Sequence, residues 1–423
     1  MALAPLVTPL LRPPWAVEAA AIRSTLSERS SDDPVATFYR TRGYAPLWTT
    51  GKALRPGSDV ALAMMRAAAQ DGLDPSSFEP SALDRDAADA ASGRPADLAR
   101  ADVDLSDAVS RYGVALHTPA PGDRLAYVDP AIPMAPSNQR AALEAIARAG
   151  ALPAALAQLR RMNPIYGRLR AALAAAPASQ TAFLRQNLDR ARALPADLGP
   201  RYILVNPAAQ SLWLYQAGQP TLQMKVVVGK PSEQTPSMVG LIRYAVLQPY
   251  WNVPPDLARN SVAPAVLKEG PDYLATHHLQ ALSDWSASAT VLDPAMVDWG
   301  AVASGAQVLR LRQTPGPDNM MGQLKFMLPN PLGIYLHDTP NKALFAGDRR
   351  TDSAGCVRLA DAAALGRALF GPALQTAATG SPEQRVDLPA PVPVYILYLT
   401  AQPGPGGVAF LPDIYRRDAA PRA

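Results

Sequence analysis

Cysteine is almost absent from this chain, with one residue, Cys356, in 423. That excludes an internal disulfide and any paired-cysteine metal or redox site. Histidine is nearly as scarce, with four residues. None stands in an HExxH spacing, and His277 and His278 are adjacent and point different ways, so neither a metal nor any other cofactor is expected. Charged residues are only 18% of the chain and the net charge is +4, with no basic run or basic-aromatic stripe. Nucleic acid is therefore not an expected partner. Long apolar runs are missing too. The opening "MALAPLVTPLLRPPWAVEAA" has no basic start, is broken by Pro5, Pro9, Pro13 and Pro14, and carries Arg12. It makes neither a spanning helix nor a good signal peptide. The expectation is a soluble mature chain, its leader removed, with no integral membrane segment.

Hydrophobic residues, at 48%, are enough for a sizeable core. The 44 prolines are about twice the ~5% average, which implies many rigid loops. To about Leu198 the pattern is helical. "SDVALAMMRAAAQDG" offers Ser58 or Asp59 as N-cap and Gly72 as stop, and "DVDLSDAVSRYGVAL", "NQRAALEAIARAG" and "TAFLRQNLDRARAL" repeat the logic. His117 stands alone among these helices and reads as a helix-end or packing residue. From Arg201 the texture changes to short alternating runs, with "QAGQ" as a hairpin turn between "SLWLY" and "TLQMKVVVG". The fold class expected is α+β. A helical scaffold domain (1–198) precedes a mostly β catalytic domain (199–423), which a helical cap insertion (252–304) interrupts.

The chemistry concentrates in "IYLHDTPNKALFAGDRRTDSAGCVRLADAAALG", from Ile334 to Gly366, which holds both Cys356 and His337. A thiol attacks a carbonyl as its thiolate, and a nearby imidazole can take the proton. His337 ends the strand pattern "GIYLH". Gly355 lets substrate approach backbone N–H groups that can hold an oxyanion. Asp361 is a candidate cap for the following helix and Gly371 a candidate stop. Taken by itself, a lone cysteine is more often a small buried apolar residue than a nucleophile.

"HDTPNKALFAGDRRTDSAGCVRL" resembles the active-site signature of L,D-transpeptidases with the YkuD-type catalytic domain. The resemblance extends through "VVVGKPSEQTPS", "PYWNVPP", "RQTPGPDNMMGQLKFMLPN", "PVYILYLTA" and "FLPDIYRRD". "GYAPLW", "AAQDGLDP" and "LRQNLDRARALPADLG" are similar to the scaffold of the large periplasmic members. By that resemblance Cys356 is the nucleophile and His337 its base. The N–H groups of Gly355 and Cys356 form the oxyanion hole, Ser353 shapes the cysteine turn, and Arg358 contacts substrate or fixes that turn. The implied reaction crosslinks peptidoglycan stem peptides, as donor and acceptor, through a thioester at diaminopimelate, in the periplasm, without ATP, metal or other cofactor. Carbapenem inhibition is also implied. The scaffold runs almost directly into the catalytic domain, where large members usually carry a peptidoglycan-binding domain. This shortened form is similar to a branch that makes 1,3 rather than 3,3 crosslinks. Ala354 replaces the second histidine of the usual Ser-His-Gly-Cys element. Two other readings remain beside the transpeptidase: a thiol carboxypeptidase or endopeptidase, and a non-catalytic wall-binding scaffold.

Further candidates for substrate contact are Tyr335, which shares the strand face of His337 by alternation, and Arg349 and Arg350, which can pair with stem carboxylates. Trp251, with Tyr250, can stack on glycan or peptide, or simply pack. Asp338 or a backbone carbonyl can orient His337.

Overall fold

The computed structural model describes residues 15–132, 138–377, 381–404 and 406–418. The opening apolar stretch through residue 14 and positions 133–137 of the proline-rich connector lie outside the described residues.

Helices fill the scaffold as the periodicity implies. Helix Pro95–His117 runs through its centre and buries Leu98, Leu105, Val109, Tyr112 and Leu116 along one side. On the same helix the Asp102 carboxylate, fully buried, accepts Leu47 N–H at 3.0 Å and Trp48 N–H at 2.8 Å, tying down the loop after "GYAP". The stretch starting at Ser58 is helical only to Arg66 and tightens into a 3-10 turn at Ala68–Asp71. Gly57 takes the cap position, so Ser58 is the first helical residue, while Gly72 at φ 68 ends the segment. His117 ends its helix, with Nε2 3.1 Å from the Leu159 carbonyl.

Strand β1 (Ala126–Tyr127) comes from the proline-rich connector. The catalytic domain then begins with β2 (Arg201–Asn206), β3 (Ser211–Gln216), β4 (Gln219–Val227) and β5 (Met238–Leu247). The cap contributes β6 (Trp251–Val253), β7 (Leu279–Leu282) and β8 (Arg310–Gln313). Next come β9 (Leu324–Met327), β10 (Leu336–His337), β11 (Val357–Leu359) and β12 (Gln384–Ile396), and a hairpin of β13 (Ala401–Gly404) and β14 (Gly407–Phe410) follows. The order β5-β12-β2-β3-β4-β11-β10-β9 closes on itself, because β9 also pairs with β5. The result is a mixed barrel. β1 adds to the edge of β5 in parallel, so a connector of the scaffold supplies a strand to the catalytic sheet across the boundary expected at 198.

Ile203 and Val205 point into the barrel core, whereas Tyr202 and Leu204 join the core of the scaffold helices. Tyr202–Val205 is continuously apolar for that reason: both faces of the strand are covered. The outer face of the sheet thus packs into the scaffold core, while the inner face lines a separate barrel core. The tight turn expected at "QAGQ" is present, with Ala217 (φ 48) and Gly218 (φ 77) both left-handed between β3 and β4.

The cap differs from its expected form. It contains an antiparallel sheet in the order β6-β8-β7. Helical segments at 255–269 and 299–304 pack on that sheet around Val253, Val266, Leu274, Trp299 and Leu311. "QVLRLRQ" therefore belongs to the cap rather than to the barrel, and the insertion reaches Gln313. A four-residue alternation shows that a strand exists but not which sheet receives it.

Candidate active site

The turn Ser353–Cys356 leads directly into β11. The Ser353 hydroxyl donates to the Cys356 carbonyl at 2.6 Å and accepts Gly355 N–H at 3.2 Å. Gly355 has φ +105, a conformation side chains rarely adopt, and an added Cβ would lie 3.2 Å from Ile334 Cδ1. The loop 229–235 clamps this turn from the other side. Ser353 N–H donates to the Val228 carbonyl at 3.1 Å, and Lys230 N–H donates to the Ser353 carbonyl at 2.9 Å. The buried Thr235 hydroxyl accepts Gly229 N–H at 2.9 Å and donates to the Gly355 carbonyl at 2.8 Å. Tyr415 holds that loop in turn, its hydroxyl donating to the Gly229 carbonyl at 2.8 Å and accepting Thr235 N–H at 3.2 Å. In the sequence, Thr235 and Tyr415 are ordinary residues of "VVVGKPSEQTPS" and "FLPDIYRRD", and only the fold brings them behind the cysteine turn.

β10 lies between β9, antiparallel to it, and β11, parallel to it. Leu336 is opposite Phe326 and Val357, and all three belong to the barrel core. His337 is opposite Lys325 and Arg358, so these three share the other face. Alternation puts Tyr335 and Cys356 on that same face. Cys356 and His337 are thus one strand apart and two positions along, about 8 Å between Cα atoms from standard strand spacing. A substrate carbonyl fits between two side chains at that separation.

His337 is 4% exposed. Its Nδ1 lies 2.6 Å from the Asp338 carbonyl oxygen. A carbonyl can only accept, so Nδ1 carries the hydrogen and Nε2 presents its lone pair. The Asp338 carboxylate turns away, accepting Lys342 Nζ at 2.5 Å and Gln323 N–H at 3.0 Å. Of the two orienting groups considered for His337, the backbone carbonyl is the one in place. Burial, and after it the Arg358 charge, push the imidazole down to about 4, so it is neutral at physiological pH. The Cys356 thiol donates to the Gly333 carbonyl at 3.6 Å. Burial raises its pKa, while Tyr335 N–H, Lys325 and Arg358 act in the opposite direction.

Tyr335 is half-buried, and the Lys325 ammonium stands 3.8 Å from its ring centroid. Lys325 is a site residue that sequence reasoning missed. It sits in "QLKFMLP" as an ordinary polar position of a strand, and its importance comes from pairing with β10.

Trp251 packs half-buried against the cap core, and the Arg312 guanidinium lies 4.1 Å from the Tyr250 ring centroid. The two arginines of "GDRR" part company. Arg349 is exposed, with Nε 3.1 Å from Thr351 Oγ1. Arg350, expected to meet substrate carboxylates, is 6% exposed and turned inward. It donates to the carbonyls of Gly347 at 2.9 Å, Asp348 at 3.2 Å, Gln210 at 3.0 Å and Val226 at 3.3 Å. Four of its five N–H donors go to these carbonyls, so it fastens the turn instead of meeting substrate.

A cavity of about 500 Å³ lies among scaffold helices, lined by Gly113, His117, Ile146 and Leu159, and contains none of the groups around Cys356. Among the described residues no group of three or more His, Cys, Asp or Glu could hold a metal ion. No described helix is long and apolar enough to cross a membrane.

Residues 200–369 match the model of the YkuD family, described as the L,D-transpeptidase catalytic domain. The chain carries an L,D-transpeptidase catalytic domain. Residues 33–173 match a scaffold domain, so two matches in order cover the helical and the β parts of this transpeptidase-domain protein. A Haemophilus influenzae protein named "Putative L,D-transpeptidase" is 33% identical over 244 residues, 56% of this chain and 48% of the relative. The chain thus spans about half the length of that curated relative. Among solved structures, an L,D-transpeptidase from Mycobacterium smegmatis is 13% identical with a TM-score of 0.23, covering 47% of this chain and 58% of its own. A cysteine-to-serine mutant of Enterococcus faecium L,D-transpeptidase is 13% identical with a TM-score of 0.21, covering 48% and 52%.

Proposed function

We propose that this chain is a peptidoglycan L,D-transpeptidase that crosslinks stem peptides in the periplasm through a Cys356 thioester. The observation that carries the reading is the pairing of β10 with β11, with His337 and Cys356 on one face and His337 Nε2 left as a free acceptor. His337 takes the thiol proton as sulfur attacks a carbonyl of the donor stem peptide. The negative charge on the carbonyl oxygen meets the Cys356 N–H, joined by the Gly355 N–H if the latter leaves Ser353 Oγ. One such donor lowers the barrier by about 3 kcal/mol. The C–N bond then breaks, the departing amine takes the proton from His337, and the thioester remains. The acceptor amine attacks the thioester, gives its proton to His337, and expels the sulfur. Atoms and charge balance without ATP or metal.

The bond attacked sets the product. Attack at the diaminopimelate carbonyl with loss of D-alanine leads to a 3,3 crosslink, whereas attack at the carbonyl of L-alanine, the first stem residue, with loss of the peptide that follows it, leads to a 1,3 crosslink. The test is mass spectrometry of the protein mixed with a disaccharide-tetrapeptide. The expected result is an acyl adduct on Cys356, absent from Cys356→Ala, together with crosslinked dimers. The fragment lost identifies the bond. Shortened monomers without dimers would replace the transpeptidase with a thiol hydrolase, and no adduct at all would leave a wall-binding scaffold.

A further inference from the structure

We propose that Lys325 is a positioning residue for the nucleophile: together with Arg358 it forms a pair of cations, one on each side of His337, that holds the negative charge of the ionised Cys356 sulfur. The inference rests on Cys356 being the nucleophile. It goes beyond that reading by naming what balances the thiolate charge.

The geometry is specific. Lys325 on β9 and Arg358 on β11 are the two register partners of His337, so both stand on its face of the sheet. The Lys325 ammonium is seated 3.8 Å from the centroid of the Tyr335 ring, and the β10–β11 register places Tyr335 directly across from Cys356. Lysine, tyrosine and cysteine therefore form one connected unit beside the histidine.

Burial first, and then the two flanking cations, disfavour an imidazolium at His337, which removes the usual thiolate–imidazolium pair as the resting source of charge balance. The sulfur then depends on Lys325 and Arg358. An imidazolium formed only during attack is correspondingly acidic and passes its proton readily to the leaving amine. The surrounding titratable groups are few. Glu383 acts on Lys325 from the start of β12, but its carboxylate already accepts Tyr250 N–H at 2.6 Å. Asp352 acts on Arg358 from the cysteine turn. Tyr244 on β5 acts on Tyr335, and the Asp338 carboxylate is paired with Lys342. None of these supplies a cation to the sulfur.

Because Cys356 is the sole cysteine, its alkylation by iodoacetamide, followed by mass spectrometry across pH, reads thiolate population without any substrate. Lys325→Met keeps the apolar stem and removes the charge. The expected result is a midpoint about one pH unit higher and an alkylation rate at pH 7 about tenfold lower than wild type. Lys325→Arg keeps the charge and is expected to stay within about threefold of wild type. A wild-type profile in Lys325→Met, with an unchanged thermal melt, would overturn the proposal. So would a Lys325→Arg profile equal to that of Lys325→Met, since shape rather than charge would then matter. Should the wild type form no adduct with stem peptides, the transpeptidase reading fails while the alkylation profiles still decide the role of Lys325.

Discussion

The Thr235 hydroxyl donates to the Gly355 carbonyl at 2.8 Å, joining residues 120 positions apart and fixing the peptide immediately before Cys356. The same hydroxyl accepts Gly229 N–H, so one oxygen links the loop to the cysteine turn. Thr235→Val keeps the shape and removes both bonds. It leaves a buried carbonyl and a buried N–H without partners, at about 1–3 kcal/mol each. The expected outcome is a lowered melting temperature and at least a tenfold slower acylation of Cys356, measured by mass spectrometry. Unchanged acylation in a destabilised variant would limit Thr235 to a role in folding.

Gly355→Ala tests the turn itself. The left-handed φ of +105 and the 3.2 Å approach to Ile334 both oppose a Cβ. Backbone strain of this kind costs on the order of 1–3 kcal/mol. Relaxation would swing the Cys356 N–H out of line with the oxyanion, so the acylation rate should fall about a hundredfold while the protein remains folded by circular dichroism.

Stability should depend on pH through His337. Its folded pKa of about 4 lies below the ordinary histidine value, so the unfolded chain binds a proton that the folded one does not. The contribution is fully present above pH ~6.5 and is lost as pH falls from there toward 4, at up to about 1.4 kcal/mol per pH unit. His337→Gln cannot titrate. Urea unfolding at pH 7, 6, 5 and 4 should show wild type losing about 3 kcal/mol more than the variant over that range. Parallel curves would place the imidazole in a more solvated setting.

The two arginines of the loop should behave differently. Arg350→Ala strands four carbonyls and a buried space, and is expected to destabilise by about 3 kcal/mol or more in urea unfolding. Arg349→Ala, at an exposed position, should change stability by less than about 0.5 kcal/mol. Equal effects would contradict the inward course of Arg350.

Local features of the fold were legible. Asp361 accepts Ala364 N–H at 2.7 Å and Gly371 ends the helix at φ 57, as their positions imply. The hairpin at Ala217–Gly218 and the alternation that puts Tyr335 beside His337 also follow from spacing alone. These depend on neighbours within a few residues, where backbone sterics and strand period act directly. The cap sheet was not legible, because β6, β7 and β8 are short runs separated by helices and turns. Nor was β1, two residues in a proline-rich connector.

By itself the sequence determined which groups exist to do chemistry: one thiol, a histidine closing an apolar strand, and a glycine before the cysteine. It also determined where helices give way to strands. Only the tertiary structure decided which neighbours those groups have. Pairing of β10 with β9 and β11 put Lys325 and Arg358 on either side of His337, and the packing of loops turned Arg350 inward and set Thr235 and Tyr415 behind the cysteine turn. The physical reason is that charge, burial and hydrogen bonding act through space over a few ångströms. Strand pairing joins residues far apart along the chain, and no local pattern records that pairing.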